Sequence, residues 1–465
     1  MIPLLKNRLR ISKTKDGTRL SNSNIGEDLV GVLPSAPPPT PTSPSYFTQK
    51  VDLIDSKMVR DASHKKSIAN LFRSLTSGDS SKINPNKFLN DQINCVPYLP
   101  TREMNRSDFE VKERIGEGNF GTVFKGVATG LYYPNSKTDV AIKTIHEASD
   151  HFEKEVFMAE IKILSNLDLH CNLVNMLGSN TTNVEQSGEM WLLLEFCDWG
   201  DLKKVLSVNR KLIERSFTKE DSKKKGFNSR LLITWAFHIA KGMEYLASKR
   251  IMHGDLAARN ILITSEDKQG ERLVAKVCDF GLSKKLTKTY YRKIERTTIP
   301  WKWMAFEFLE NNIFLMKSDV WSYGVLIWEI FSLGKEPYGE KSYDEVVKDL
   351  SNDIYLKCPE KIRKITSWPA EKFYSSIVSK CFVKDEQKRA DFSEIVKIIS
   401  GVLSEEEQKS YQDVCNIYDT RRNLLLDDEI WDKLRNQTKT DRRTVCATKS
   451  NSSVLSSDSM KEVTN

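Results

Sequence analysis

One stretch constrains this chain more than any other: His253-Gly254-Asp255-Leu256-Ala257-Ala258-Arg259-Asn260, followed by Cys278-Asp279-Phe280-Gly281. Its spacing places a proton acceptor, Asp255, and a metal-binding amide, Asn260, on one loop, with a second metal-binding acid at Asp279. Such groups serve proton transfer and cation binding. Any one Asp alone reads as a helix cap or a turn residue. His253, Asp255, Asn260, Asp279 and Gly281 together do not.

Length and composition narrow the setting. At 465 residues the chain could hold two or three domains, or one large domain with tails. Eight cysteines lie scattered without a C-x-x-C pair, which argues against a zinc site or a disulfide framework and for a reducing, cytoplasmic setting. No apolar run approaches the roughly 18 residues that span a bilayer, and Met1-Ile2-Pro3-Leu4-Leu5 is too soon broken for a signal sequence. Ile2 and the ending Glu462-Val463-Thr464-Asn465 carry no lipidation signal. Much of the net charge of +8 lies in the first twenty residues, where Lys6, Arg8, Arg10, Lys13, Lys15 and Arg19 face only Asp16. That tract suits a weak, salt-sensitive contact with anionic lipid at an inner membrane face; the simpler reading is a solvated arm. Nothing points to nucleic acid.

Residues 21 to about 98 are rich in Ser, Asn, Thr and Pro, too polar and stiff for a core. Pro38 and Pro41 fit a P-x-x-P ligand for Pro-rich-binding domains, although a plain spacer explains them as well. Regular structure begins near Phe109, where Phe109, Val111 and Ile115 alternate with charged residues as in a half-buried strand. Val140-Ala141-Ile142 reads as a buried strand. Across residues 150–164 the helical period gathers Val156, Phe157, Ile161 and Leu164 on one face. Glu160 falls on that face, and a buried carboxylate requires a cation. Lys143 is the candidate. Farther on, Leu232, Trp235, Ala236, Ile239, Met243 and Leu246 mark a long helix, and residues 319–331 are apolar almost all round, as in a helix buried at the centre of a lobe. The polar stretch between Val208 and Asn228 reads as a mobile surface insertion. Past about residue 403 the core is expected to end.

Gly116-Glu117-Gly118-Asn119-Phe120-Gly121-Thr122-Val123 fits a loop whose missing side chains let backbone amides approach phosphate oxygens. Dinucleotide sites also use three glycines, but such a loop opens a helix, whereas Thr122-Val123-Phe124-Lys125 continues as a strand.

Together these segments resemble the protein kinase family, and Ala257-Ala258-Arg259 after Asp255 resembles its tyrosine-specific branch. The resemblance covers residues 105 to about 401 and implies an α+β, two-lobed kinase fold. A small β-rich N-lobe with one helix would occupy about 105–198. A larger helical C-lobe would occupy about 199–403, interrupted by the insertion at about 208–228. Residues 1–104 would be a disordered basic and Pro/Ser-rich arm, and 404–465 a C-terminal tail. The implied cofactors are ATP and Mg2+. Ile115, Gly116, Glu117, Gly118, Asn119, Phe120 and Gly121 would cover the phosphates, and Lys143, paired with Glu160, would hold two of them. Val123, Ala141 and Leu262 would sandwich adenine, with Leu194 as gatekeeper and Glu195-Phe196-Cys197 as hinge. Asp255 would accept the substrate hydroxyl proton, Arg259 would position Asp255 and the substrate ring, and Asn260 and Asp279 would hold Mg2+. The implied activity is transfer of the γ-phosphate of ATP to protein tyrosine in signalling, with autophosphorylation.

Glu195-Phe196-Cys197, Leu177-Gly178, Trp303-Met304-Ala305 and Ser318-Asp319-Val320-Trp321-Ser322-Tyr323-Gly324 are most similar to the platelet-derived and vascular endothelial growth factor receptor group. Tyr98-Leu99-Pro100 resembles the juxtamembrane segment of that group. The chain is expected to lack an ectodomain and a spanning helix. Gly254 replaces the Arg that in the family clamps a phosphorylated activation loop, which implies weaker dependence on phosphorylation of Tyr290-Tyr291. Phe306 replaces Pro in Ala-Pro-Glu, while Glu307 and Arg389 remain as the family's ion pair. Trp301 stands where a smaller residue is common and would narrow peptide choice. Cys278 reads as small and buried, though near enough to the pocket to be alkylated. Tyr411-Gln412-Asp413-Val414, and more weakly Tyr418, resemble docking sites for phosphotyrosine-reading domains. Two rivals stand beside this reading: a catalytically silent scaffold, and a serine/threonine kinase, which Ala257, Arg259 and Pro300-Trp301-Lys302-Trp303 oppose.

Overall fold

The computed structural model describes residues 78–426, apart from 100–101, 119–120, 134, 146–148, 150, 183, 185–187, 218–226, 268–271 and 281–299. Asn119, Phe120, Gly281, Tyr290, Tyr291, Pro38, Pro41 and the basic tract of the first twenty residues lie outside the described residues.

Strands β1 (Phe109–Gly118), β2 (Gly121–Thr129) and β3 (Lys137–Ile145) run antiparallel in sequence. Helix α1 (His151–Ser165) follows, then β4 (Met176–Asn180) and β5 (Trp191–Glu195), giving a five-stranded sheet in the order β1-β2-β3-β5-β4. Strand alternation drives Val140 and Ile142 fully into the core. Gly121 is forced by contact: a Cβ there would lie 2.0 Å from the Thr144 carbonyl oxygen, so only glycine lets β2 approach β3 at the root of the loop.

Below this sheet come β6 (Gly200–Asp201), α2 (Leu202–Val208), α3 (Arg210–Arg215), α4 (Ser229–Ser248), β7 (Ile261–Ser265) and β8 (Leu273–Val277). They are followed by α5 (Phe306–Asn311), α6 (Ser318–Phe331), α7 (Tyr343–Ser351), α8 (Ala370–Cys381), α9 (Phe392–Ser400) and α10 (Glu405–Leu426). Asn228 caps α4 by accepting the Leu231 amide at 3.1 Å, and Ser342 with Glu345 forms a capping box on α7. The all-round apolar pattern of α6 is met by burial all round: Val320, Trp321, Tyr323 and Leu326 are each at most 1% exposed. Burying each such side chain contributes roughly 1.5–3 kcal/mol, which makes α6 the post on which the large lobe stands.

Three sequence expectations need correction. Residues 78–99 are not a free arm: Phe88, Ile93 and Val96 are buried, the Leu89 amide donates to the Arg250 carbonyl at 3.0 Å, and the Met252 amide donates to Asn90 Oδ1 at 3.1 Å. A few apolar side chains spaced through a polar segment sufficed to anchor it. The insertion begins as helix α3, held by fully buried Ile213 and by Phe217, with 218–226 outside the described residues. The core does not end at 403, because α10 packs against it through Val414, Tyr418 and Leu425, each at most 3% exposed.

Candidate active site

Strand β3 delivers Lys143 and helix α1 delivers Glu160. Lys143 Nζ donates to Glu160 Oε1 at 2.7 Å and Oε2 at 2.9 Å, and both residues are buried. Burial disfavours each charge. For Lys143 that penalty is more than reversed by Glu160 and by Asp279, whose Oδ1 lies 3.3 Å away. The lysine pKa is raised and the ammonium stays charged at neutral pH. The pair predicted from a lone acid on an apolar helix face is therefore formed.

The loop bearing Asp255 hangs from two carboxylates of α6. Asp319 Oδ2 accepts the His253 amide at 2.7 Å and Oδ1 accepts the Gly254 amide at 2.8 Å. Glu329 Oε2 accepts the Ala258 amide at 2.9 Å and the Trp303 indole N–H at 2.8 Å. Glu329 is fully buried, and burial pushes its carboxyl up to about 7 against the pull of those two hydrogen bonds. Sequence reasoning missed Asp319 and Glu329 as parts of the site. The signal was available: an acid in a helix that is apolar all round must be answering a donor. Gly254 sits at φ +74°, a left-handed conformation that costs glycine nothing.

Asp255 is half-buried at the end of this support. Arg259 Nη2 donates to its Oδ1, and Asn260 Nδ2 donates to its Oδ2 at 2.8 Å and its carbonyl at 2.7 Å. Arg259 in turn lies 4.4 Å above the Trp303 ring, a cation–π contact that fixes its plane. Asn260 spends its amide hydrogens on Asp255 and keeps Oδ1, the atom a hard cation takes. Asp279, at φ +54°, presents a carboxylate 55% exposed. Such left-handed non-glycine residues cluster at functional sites. No group of three or more His, Cys, Asp or Glu that could cage a metal occurs among the described residues. Asn260 and Asp279 fit instead the sparse protein ligation of a cation that also binds phosphate oxygens.

Between the lobes, Val123 is paired with Lys143, and Ala141 with Leu194, in the sheet register. Leu194 and Leu262, both half-buried, pack with Val174, Cys197 and Cys278 as one apolar cluster. Val123 and Ala141 are also half-buried. Partial exposure of apolar side chains from both lobes is the character of a slot for a flat apolar ring. Gly116, Glu117, Gly118 and Gly121 lie in the β1–β2 hairpin, with Gly118 opposite Gly121; Ile115 is 43% exposed, and Glu117 pairs with Arg114. Cys278 is buried and its thiol pKa is raised well above the ordinary value by that burial, which opposes alkylation. Glu195 is held away from the slot: its Oε2 accepts from Lys276 Nζ at 3.0 Å and from Asn175 Nδ2 at 2.8 Å. Lys276 and Asn175 were not foreseen. Glu307 and Arg389 form the expected pair, with Nη1–Oε1 at 2.9 Å and Nη2–Oε2 at 2.8 Å, although Phe306 stands beside them.

Residues 109–399 match the family of protein tyrosine and serine/threonine kinases. The chain belongs to that family. The matched region of this kinase is homologous to receptor tyrosine kinases. It is 33% identical over 334 residues to the tyrosine kinase receptor Cad96Ca of Drosophila melanogaster, covering 71% of this chain and 40% of the relative. It is 34% identical over 327 residues to a fibroblast growth factor receptor of Halocynthia roretzi, covering 67% and 40%. It is 30% identical over 384 residues to vascular endothelial growth factor receptor 3 of Coturnix coturnix, covering 71% and 26%. The chain thus spans well under half the length of these curated relatives. The family uses ATP with divalent metal and acts on proteins, and no helix among the described residues is long and apolar enough to cross a membrane.

Proposed function

We propose that this kinase transfers the γ-phosphoryl group of Mg-ATP to tyrosine hydroxyls of protein substrates in signalling, with a catalytic domain of about residues 105–403. The observation that carries the reading is the joint geometry of Asp255, Arg259 and Asn260 opposite the Lys143–Glu160–Asp279 cluster. Bound Mg-ATP would supply the phosphoryl group and neutralise charge on its oxygens. Lys143, fixed by Glu160, would hold phosphate oxygens, Asn260 and Asp279 would hold the cation, and Asp255 would accept the tyrosine proton. Arg259, held between Asp255 and Trp303, and Ala257, at the position where serine/threonine kinases carry a lysine, support tyrosine as acceptor. Val123, Ala141, Leu194, Leu262 and Cys197 would form the adenine slot, with the phosphates covered by the glycine-rich segment 115–121. A cytoplasmic setting, a membrane contact through the basic tract, and partners reading Pro-rich or phosphotyrosine segments are further parts of the proposal.

The test is incubation of the purified chain and its Asp255→Asn variant with Mg-ATP and poly(Glu,Tyr), read by mass spectrometry. Phosphotyrosine made only by the unaltered chain is expected. ATP binding without transfer by either protein would favour the silent scaffold, and phosphoserine or phosphothreonine would favour the other branch.

A further inference from the structure

Helix α10 runs along the rear of the molecule and touches both lobes. Near its start, Glu407 pairs with Arg230 of α4. At its centre the Tyr411 ring meets Phe237 edge-on at 4.9 Å, and its hydroxyl donates to Asn172 Oδ1 at 2.9 Å. Farther along, the Tyr418 hydroxyl donates to Glu266 Oε1 at 2.5 Å, while Lys276 Nζ lies 4.1 Å over the Tyr418 ring. At the end, Arg422 Nη2 donates to the Leu169 carbonyl at 2.9 Å, and Leu425 joins the apolar cluster of Leu131, Leu169, Leu177 and Leu193 in the small lobe. Lys276 also holds Glu195, the last residue of β5, so the helix presses on the group that ties down the connection between lobes. Tyr411 and Tyr418 are therefore not open docking sites. Their hydroxyls are engaged and Tyr418 is 2% exposed, so modification requires the helix to leave.

At the middle of this contact two thiols meet. Cys171, buried in the segment between α1 and β4, places Sγ 3.5 Å from Sγ of half-buried Cys415 on α10, across a separation of 244 residues. We propose that Cys171 and Cys415 are an oxidisable pair, a modification site at which peroxide closes a disulfide and locks α10 over the back of the catalytic domain. The helix is docked with both thiols free; the disulfide would keep it from opening, so that Tyr411 and Tyr418 stay shielded, and reduction restores the opening.

The pair has an attacking and a resolving member. The hydrogen bond between them lowers the pKa of the more exposed Cys415 thiol and raises that of buried Cys171, which makes Cys415 the attacking member. The Cys415 thiolate attacks one oxygen of hydrogen peroxide and the O–O bond breaks. This leaves Cys415 sulfenic acid and hydroxide, which takes up the proton released by Cys415 and becomes water. The Cys171 sulfur then attacks the sulfenic sulfur; the S–O bond breaks, and the hydroxide leaves as water with the Cys171 proton. Two thiols are oxidised by two electrons and one peroxide is reduced to two waters. The sulfurs need only approach from contact to the about 2.0 Å of the covalent bond, a movement within reach of side-chain rotation.

The experiment treats the full chain with hydrogen peroxide under native conditions and maps unreduced peptides by mass spectrometry, alongside hydrogen exchange of residues 405–426. Neither readout uses kinase activity, so its result is independent of the proposed function. The expected result is one intramolecular Cys171–Cys415 linkage, reversed by dithiothreitol and absent from Cys415→Ser, with exchange in α10 slowed about tenfold or more on oxidation. Cys415→Ser replaces a half-exposed thiol and should leave the reduced fold intact. Cys415 sulfinic acid beside a free Cys171 thiol, a linkage formed only in denaturant, or unchanged exchange in the linked protein would each overturn the proposal.

Discussion

The front cleft and the rear of the molecule both depend on buried polar groups, but they draw them from very different distances along the chain. In the cleft, Lys143 and Glu160 lie 17 residues apart, and Asp255 finds Arg259 and Asn260 within five. At the rear, Lys276 reaches Glu195 across 81 residues, Tyr418 reaches Glu266 across 152, and Arg422 reaches Leu169 across 253. The groups that do the chemistry sit on short segments with local partners, although the Asp255 loop is hung on Asp319 and Glu329 of α6 and Lys143 also meets Asp279. These rear contacts have no local part at all. Substitutions in the two regions should therefore separate activity from stability.

The largest separation is expected at Asp255. Asp255→Asn removes the proton acceptor and keeps one acceptor oxygen where Arg259 and Asn260 used two. The kcat should therefore fall about 10²–10⁴-fold with only a small drop in melting temperature, because the site is partly exposed. Steady-state kinetics and calorimetry on the same preparation check this, and a variant that lost stability in proportion to activity would mean the cleft is as structural as the rear. Glu160→Gln should break that clean separation. It leaves Lys143 buried with only Asp279 to answer it, at a cost of about 3–5 kcal/mol in stability, together with a loss of transfer. Chemical denaturation with and without ATP would show whether the loss is intrinsic to the pair.

Glu329 sharpens the comparison through pH. Its carboxyl is raised from an ordinary value of 4.5 to about 7 by burial, so the folded protein holds this proton more tightly than the unfolded chain. The contribution is fully present below pH 4.5 and is lost as pH rises towards and through 7. Relative to Glu329→Gln, which cannot titrate, the unaltered chain should lose on the order of 3 kcal/mol across that window. Parallel stability profiles for the two proteins between pH 5 and 8 would rule this out.

What could be read from the sequence follows the same division. The strand at Val140–Ile142, the amphipathic face with Glu160, and the Asp255–Asn260 loop each declare themselves within a few residues, by period or by spacing. The support beneath them was less visible. Asp319 and Glu329 are single acids in an apolar run, and only the fold shows which amides they accept. Helix α10 was read as tail because its charged residues dominate the composition; its few buried contacts, Val414, Tyr418 and Leu425, recur at helical spacing but have no meaning without the surface they meet. The same holds for Phe88, Ile93 and Val96 ahead of the core. Pairing across hundreds of residues has no local signature, since loop closure leaves no mark on the sequence at either end.

The smallest effect tests the rear alone. Tyr418→Phe keeps the ring beneath Lys276 and removes only the hydroxyl that donates to Glu266 Oε1. Glu266 retains Arg421, whose Nη2 lies 3.1 Å from Oε2, so the carboxylate is not left unpaired. The expected loss is therefore at the low end of the about 1.5–3 kcal/mol range for a hydrogen bond to a charged group, with kcat on a peptide substrate unchanged. The loss should appear first as faster hydrogen exchange in α10, because that helix opens without unfolding the lobes behind it. A variant with normal exchange but lowered kcat would place Tyr418 in the working of the cleft instead, and the division between front and rear would have to be redrawn through Lys276 and Glu195.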